Sequence, residues 1–129
     1  MLLLEAIAHQ EGFYKEGSRP QRNNNPGDLT YCGETIAFGA TSGDPRFAMF
    51  PDAVTGWNAL RRWLSVPAHF DASGRLVGGY LGSTIEQAIN RFAPPNENDT
   101  AGYVAYVCAQ TGLDAQTKLT ADLLSVPAS

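Results

Sequence analysis

The chain has 129 residues, of which 43% are hydrophobic and 17% are charged, and its formal net charge is −4. This composition is typical of a folded domain with a hydrophobic core and excludes a disordered chain. No basic stripe occurs, so a nucleic-acid partner is not expected, and long-range steering toward an acidic polymer is absent. The 13 glycines and eight prolines exclude a bundle of long helices, because they demand many turns.

The amino terminus predicts the first helix. Apolar residues in LLLEAIAHQ recur at helical spacing, which predicts two to three turns that end near Glu11 and Gly12. The opening MLLL is too short for the apolar part of a signal peptide, and no apolar run approaches a membrane span. We therefore expect a chain that is made in the cytosol or cut from a longer protein.

Residues 15–44 form the next segment, in which the apolar pattern disappears. Turn formers occur at nearly every step of EGSRPQRNNNPGDLTYCGE, and a loop-rich insert of this kind in a compact domain is usually functional. The runs TIAFG and RFAMF alternate in polarity around a TSGDP turn, which predicts a small hairpin.

Helical patterns return after residue 52. The second predicted helix ends before residue 67, and its apolar stripe consists of Val54, Trp57, Leu60 and Leu64. Trp57 is therefore assigned to the core rather than to a sugar platform, and Arg61 and Arg62 to a solvated face. The glycine-rich connector PAHFDASGRLVGGYLGS has room for a strand or a wide turn.

Two more helices are predicted toward the carboxyl terminus. Ser83 opens the capping-box pattern STIE, and the third helix that follows stops at Pro94 and Pro95. Asn98 or Asp99 caps a fourth helix. Its inward residues and its terminating glycine are Val104, Val107, Cys108 and Gly112. The segment LTADLLSV predicts a last short helix.

These elements define the predicted fold class. Helices that flank one small loop-and-hairpin lobe make an α+β fold, mainly α, with a natural cleft between the two parts. No repeat and no linker divides the chain, so we expect one domain over residues 1–129 and a monomer.

The sequence predicts neither a cofactor nor a metal. It has no phosphate-binding glycine loop, and His9 and His69 lack partners at metal-ligand spacing. A single histidine is more often structural than catalytic. Cys32 and Cys108 lack the paired spacing of a zinc site, and they either form a disulfide or leave Cys108 as an inert buried thiol.

Glu11 is the first candidate for chemistry. A general acid for glycoside cleavage must stay protonated near neutral pH, and burial beside apolar groups disfavours the charged carboxylate. Glu11 ends an apolar helix and has Phe13 and Tyr14 beside it. A glutamate in a last helical turn is also commonly just solvated, so local chemistry leaves both interpretations open.

Four segments together resemble a known family. In order, IAHQEGF, QRNNNPGDL, FAMFPDAVTGWNAL and FAPPNENDTAGYVAYV are similar to a bacterial and phage family of lysozyme-like muramidases, within the lysozyme and lytic transglycosylase superfamily. The likeness spans about residues 4 to 113, in the family's order and spacing. Each segment alone has low specificity, and the specificity comes from all four together.

The resemblance implies roles for particular residues. Glu11 matches the glutamate that closes the first helix and acts as the general acid. Tyr103 matches a tyrosine that faces the reaction centre, although Tyr106 competes for that role. The residues implied to line the glycan cleft are Asn23, Asn24, Asn25, Pro26 and Gly27. The asparagine run alone is equally explained as a turn, and the resemblance favours sugar binding.

Asp28 departs from the family, which commonly has asparagine at this position. It is either a second catalytic carboxylate or a turn residue that takes the asparagine's place, and we prefer the turn role. Related enzymes of the goose-type and transglycosylase branches work with one essential glutamate, so a second acid is not required. Glu34 and Asp44 belong to the same lobe and are candidates for positioning a water molecule.

The resemblance implies cleavage of the β-1,4 bond between N-acetylmuramic acid and N-acetylglucosamine, with peptidoglycan strands as the partner. Hydrolysis and a lytic transglycosylase reaction that gives a 1,6-anhydro product remain open. A non-catalytic glycan-binding or virion-associated module is the alternative from another class. We expect action at the cell wall, periplasmic or extracellular, by a phage-encoded protein, a protein exported by another route or a fragment.

Overall fold

The computed structural model describes residues 1–128 and shows a mainly helical α+β architecture. In these residues six α-helices accompany two separate antiparallel pairs of strands, and the coarse fold class predicted from sequence is confirmed. The helices are α1 (Leu3–Glu11), α2 (Arg19–Arg22), α3 (Gly33–Ala37), α4 (Ala53–Ser65), α5 (Ile85–Phe92) and α6 (Thr100–Thr111). The strands are β1 (Ser42–Gly43), β2 (Ala48–Met49), β3 (His69–Phe70) and β4 (Leu76–Val77).

The core is built around α1, which packs against α6 and α4, while α5 packs against α6. Burial of its apolar face stabilises α1, since a fully buried aliphatic side chain contributes about 1.5–3 kcal/mol. Its buried residues are Leu3, Leu4, Ala6, Ile7 and Ala8. The helix ends as predicted: Gly12 adopts a left-handed conformation with φ 89°, and its N–H closes on the carbonyls of the last turn.

The loop-and-hairpin lobe differs in detail from the prediction. The run TIAFG was expected to be a strand, and that expectation is wrong, because Thr35, Ile36 and Ala37 belong to α3. Thr35 explains the difference: its hydroxyl accepts the Cys32 N–H at 2.9 Å, which satisfies a free donor at the helix start. The hairpin instead pairs β1 with β2, so only RFAMF supplies a predicted strand.

Helix α4 follows the predicted stripe with one exception. Trp57, Leu60 and Leu64 are buried, but Val54 is 52% exposed and its assignment to the stripe is wrong. At about 100° per residue, Val54 lies roughly 90° from the centre of the other three. The buried face extends the other way, to Gly56 and Ala59.

The remaining elements confirm most boundaries. The cap of α5 is Thr84 with Gln87, not Ser83 with Glu86, because the Thr84 hydroxyl accepts the Gln87 N–H at 3.1 Å and the Gln87 side chain accepts the Thr84 N–H at 2.9 Å. Asp99 caps α6, which ends at a left-handed Gly112. The glycine-rich connector forms the β3–β4 hairpin, and LTADLLSV contains a short 3₁₀ helix.

The two cysteines do not form a disulfide. Cys32 and Cys108 are free thiols, and Cys108 is half-buried at the edge of the core.

Across residues 1–128, no helix combines the length and the apolar character that a membrane crossing requires.

Candidate active site

A hydrogen bond between α1 and α6 brings two candidate residues together. The Tyr103 hydroxyl donates to Glu11 Oε2 at 2.8 Å, although the two residues are 92 positions apart in the chain. Glu11 lies in the last turn of α1, and Tyr103 lies in the first turns of α6 with only 5% of its surface exposed. The packing of the two helices therefore fixes the orientation of the Glu11 carboxyl.

The environment of Glu11 suits a proton donor. Burial is the main cause that raises the pKa of Glu11 from its ordinary 4.5 to about 7. The hydrogen bond from Tyr103 lowers the pKa, the charge of Asp28 raises it, and the charge of Arg19 lowers it. A carboxyl with a pKa near the ambient pH is substantially protonated there and still able to release its proton, as general acid catalysis requires.

The structure distinguishes the two tyrosines that the sequence left open. Tyr103 reaches Glu11, whereas Tyr106 is half-buried and packs against the hydrophobic core. Burial, followed by the charge of Glu11, raises the pKa of Tyr103 well above its usual 10.0. Tyr103 is therefore a neutral hydroxyl that donates to Glu11 throughout the neutral range.

Asp28 is held in a two-point ion pair. Arg19 Nη2 lies 2.6 Å from Asp28 Oδ2, and Arg19 Nε donates to Asp28 Oδ1 at 3.2 Å. The Arg19 guanidinium also lies 3.5 Å above the centre of the Phe47 ring. Asp28 has a left-handed backbone with φ 48°, which asparagine and aspartate tolerate better than most residues. The residue thus serves the turn and also places a paired charge near Glu11.

The asparagine amides mostly hold the loop itself. The fully buried Asn25 side chain donates to the Leu29 and Ala48 carbonyls at 3.0 and 2.9 Å and accepts the Leu29 N–H at 2.9 Å. Asn24 donates to the Phe50 carbonyl at 3.2 Å. The Asn25 amide is buried and hydrogen-bonded to the backbone of the protein, so it is not exposed for contact with a sugar.

Asn23 is also buried, with 1% of its surface exposed. Neither atom of its amide meets hydrogen-bond geometry with any described residue, but the amide is close enough to Asp44 to help lower its pKa. The larger cause of that shift is Arg22, which lies 3.0 Å from the Asp44 carboxylate. Asn23 thus underlies a surface ion pair and does not present its amide to a sugar.

Pro26 and Gly27 anchor the loop on α4. Both are buried, and a Cβ at Gly27 would lie 2.6 Å from Leu60 Cδ1, so a larger residue does not fit there without movement. The loop also approaches α4 at Gly56, where a Cβ would overlap the carbonyl oxygen of Asn24. The predicted loop is therefore a rigid wall supported by a helix.

A cleft of about 340 Å³ separates this wall from the helical part. Glu11 is not among the residues that line this cleft. Asp28 does line it, and the charge of Asp28 is close enough to Glu11 to raise its pKa. The Glu34 carboxylate lies 3.8 Å from His69 Nε2, between the lobe and the β3–β4 hairpin. The lining residues are Gly27, Asp28, Leu29, Thr30, Trp63, Arg75, Leu76, Tyr80, Arg91, Phe92, Pro94 and Glu97.

Sequence reasoning missed most of the far side of this cleft. Trp63, Tyr80 and Arg91 come from three separate parts of the chain, and no motif links them. An aromatic residue inside the glycine-rich connector was the one signal that could have drawn attention to Tyr80. No protein-family model matches this chain, and no curated protein matches its sequence.

Removal of the Tyr103 hydroxyl tests the arrangement directly. We expect Tyr103→Phe to raise the pKa of Glu11 above its wild-type value, because the lost hydrogen bond is an influence that lowers it. Carboxyl carbon chemical shifts, followed by NMR as a function of pH, measure this without any substrate. Tyr106→Phe is the matched control and leaves the titration unchanged. An unchanged or lower pKa in Tyr103→Phe would contradict the hydrogen bond.

Proposed function

We propose that this chain is a peptidoglycan-cleaving glycosidase with a lysozyme-like fold. It acts on the β-1,4 bond between N-acetylmuramic acid and N-acetylglucosamine. The observation that carries the proposal is the half-buried Glu11 carboxyl, whose pKa is raised to about 7 and which accepts a hydrogen bond from Tyr103. The adjacent cleft, with polar and aromatic residues on its walls, has the character of a glycan groove.

Glu11 donates its proton to the glycosidic oxygen as the bond to the sugar breaks. Positive charge then develops on the anomeric carbon of the sugar. Asp28 lies near Glu11, but both of its carboxyl oxygens are engaged by Arg19. A carboxylate held in this way is a poor nucleophile, which supports chemistry with Glu11 as the one essential acid.

Two fates of the cationic sugar are consistent with this role for Glu11. Capture by water gives the hydrolysis product of a lysozyme, and capture by the sugar's own 6-hydroxyl gives the anhydro product of a lytic transglycosylase. Each route needs the same proton donor and differs in what occupies the cleft next to the anomeric carbon.

Mass spectrometry of digested peptidoglycan tests the proposal. We expect soluble muropeptides with either reducing muramic ends or 1,6-anhydro ends, which differ by one water molecule. Release of neither product, combined with retention of the chain on the insoluble wall, would replace the proposal by the non-catalytic glycan-binding module. A digest with Glu11→Gln protein is the control for contaminating lytic activity.

A further inference from the structure

Phe47, just before β2, supports the charge pair beside Glu11. The Arg19 guanidinium lies 3.5 Å from the centre of the Phe47 ring, which is a close cation–π contact. The same guanidinium binds both carboxyl oxygens of Asp28. Phe47 is itself held by a backbone bridge to Thr30, a residue of the cleft wall. The ring is therefore a fixed surface on which the Arg19 side chain rests.

The pair between Arg19 and Asp28 depends on such a surface. The Arg19 side chain is long and 41% exposed, and restricting it to one conformation costs side-chain entropy, so exposed ion pairs contribute little by themselves. A planar guanidinium that is stacked on a ring has already lost part of that freedom. The Asp28 carboxylate is only 9% exposed. If Arg19 moved into solvent, Asp28 would remain in place without its partner.

Glu11 is the group that experiences this change. Three elements bring charged or titratable groups to it: Tyr103 on α6 donates a hydrogen bond, Asp28 on the loop raises its pKa, and Arg19 on α2 lowers its pKa. Asp44 acts on Arg19 in turn. A paired Asp28 presents a largely cancelled charge to Glu11, whereas an unpaired Asp28 presents its full charge.

We propose that Phe47 is a positioning residue, whose ring keeps the Arg19 guanidinium on Asp28 and thereby fixes the net charge that faces Glu11. The inference rests on the proposed function, in which Glu11 is the general acid. A general acid works only while it is protonated, so the charge beside it sets the highest pH at which cleavage proceeds. Phe47 acts on that limit through Arg19, without giving or taking a proton.

The test is the titration of Glu11 in Phe47→Leu, which removes the ring and keeps an apolar side chain. We expect the midpoint, followed by NMR of the carboxyl carbon, to rise by about 0.5 pH unit, because an exposed cation–π contact is worth a fraction of one pKa unit. Phe47→Tyr keeps the ring and titrates like wild type. On peptidoglycan, the alkaline limb of the kcat/KM profile of Phe47→Leu moves upward by the same amount.

A double-mutant cycle separates positioning from a general loosening of the lobe. Arg19→Gln alone raises the midpoint by about 1 unit, and adding Phe47→Leu to it has no further effect. Phe38→Leu is the matched control, since it removes a similar ring, 4.4 Å from the guanidinium of Arg62, and leaves the titration of Glu11 unchanged.

An unchanged or lowered midpoint in Phe47→Leu would overturn the inference. A rise that persists in the Arg19→Gln background would overturn it as well, because Phe47 would then act by some route other than Arg19. The titrations need no substrate. If the midpoint moves while the alkaline limb of the activity profile stays fixed, the role of Glu11 in the proposed function is refuted instead, so the two failures are distinct.

Discussion

If Glu11 is the proposed general acid, we expect its replacement by glutamine to lower kcat for peptidoglycan cleavage by about 10²–10⁴, the usual contribution of such a group. Glutamine keeps the shape of the side chain and still accepts the hydrogen bond from Tyr103, so the α1–α6 contact is preserved. It has no proton to give to the glycosidic oxygen. Release of muropeptides from purified walls, measured by mass spectrometry, gives the rate. Undiminished lysis by this variant would remove Glu11 from the mechanism.

The same variant has a second readout that needs no substrate. The pKa of Glu11 is higher in the folded protein, about 7, than its ordinary 4.5, so folding favours the protonated carboxyl. The stability contributed by that preference is complete below pH 4.5 and is lost as the pH rises through 7. Glu11→Gln does not titrate, so its advantage over wild type grows across this interval and then levels off at up to about 3 kcal/mol.

Chemical denaturation at a series of pH values measures this difference in the free energy of unfolding. Glu16→Gln, on an exposed loop, is the matched control for the loss of one carboxylate. The two readouts together distinguish a catalytic from a structural role. A structural residue would not be expected both to lower stability when ionised and to be required for turnover. A difference in unfolding free energy between Glu11→Gln and wild type that stays constant or falls between pH 4.5 and 7 would show that Glu11 does not lie in a desolvating environment.

Local signals were sufficient for the parts of the site that lie within one element. The position of Glu11 followed from the apolar spacing of α1 and from Gly12, which ends the helix. The choice of Tyr103 over Tyr106 could not follow in the same way, because both residues lie on α6 and only its packing against α1 decides which one reaches Glu11. The sequence therefore predicts both residues but not the hydrogen bond between Glu11 and Tyr103.

The loop lobe shows two other limits of the sequence. Alternating polarity in TIAFG predicted a strand, but the first three residues belong to a short helix, and the Cys32 N–H donates to the Thr35 hydroxyl at its start. The NNNPGD motif correctly marked a structured loop. The motif alone did not predict that the Asn25 amide bonds to the Leu29 carbonyl or that Asp28 pairs with Arg19. These contacts depend on how the loop folds, which the residue types in the motif do not determine.

The contact between this loop and α4 supports the whole site. Gly56 lies inside α4, and a Cβ built on it would overlap the carbonyl oxygen of Asn24 and come within 2.9 Å of Pro26 Cδ. The loop cannot easily retreat, because the three hydrogen bonds of Asn25 and the Asn24–Phe50 bond hold it in place. Asp28 and its ion pair are part of the same rigid loop.

We therefore expect Gly56→Ala to destabilise the protein by about 2–5 kcal/mol, comparable to other steric disruptions of a packed interior. The sign makes this a sharp test, since glycine to alanine inside a helix ordinarily stabilises by about 0.5–1 kcal/mol. Gly33→Ala is the matched control: Gly33 begins α3 with no atom near its would-be Cβ, so that variant is as stable as wild type or slightly more. Unfolding free energies from denaturant titrations decide the matter. A Gly56→Ala protein as stable as wild type would mean that the loop does not rest against α4, and the wall of the cleft would then lose its support.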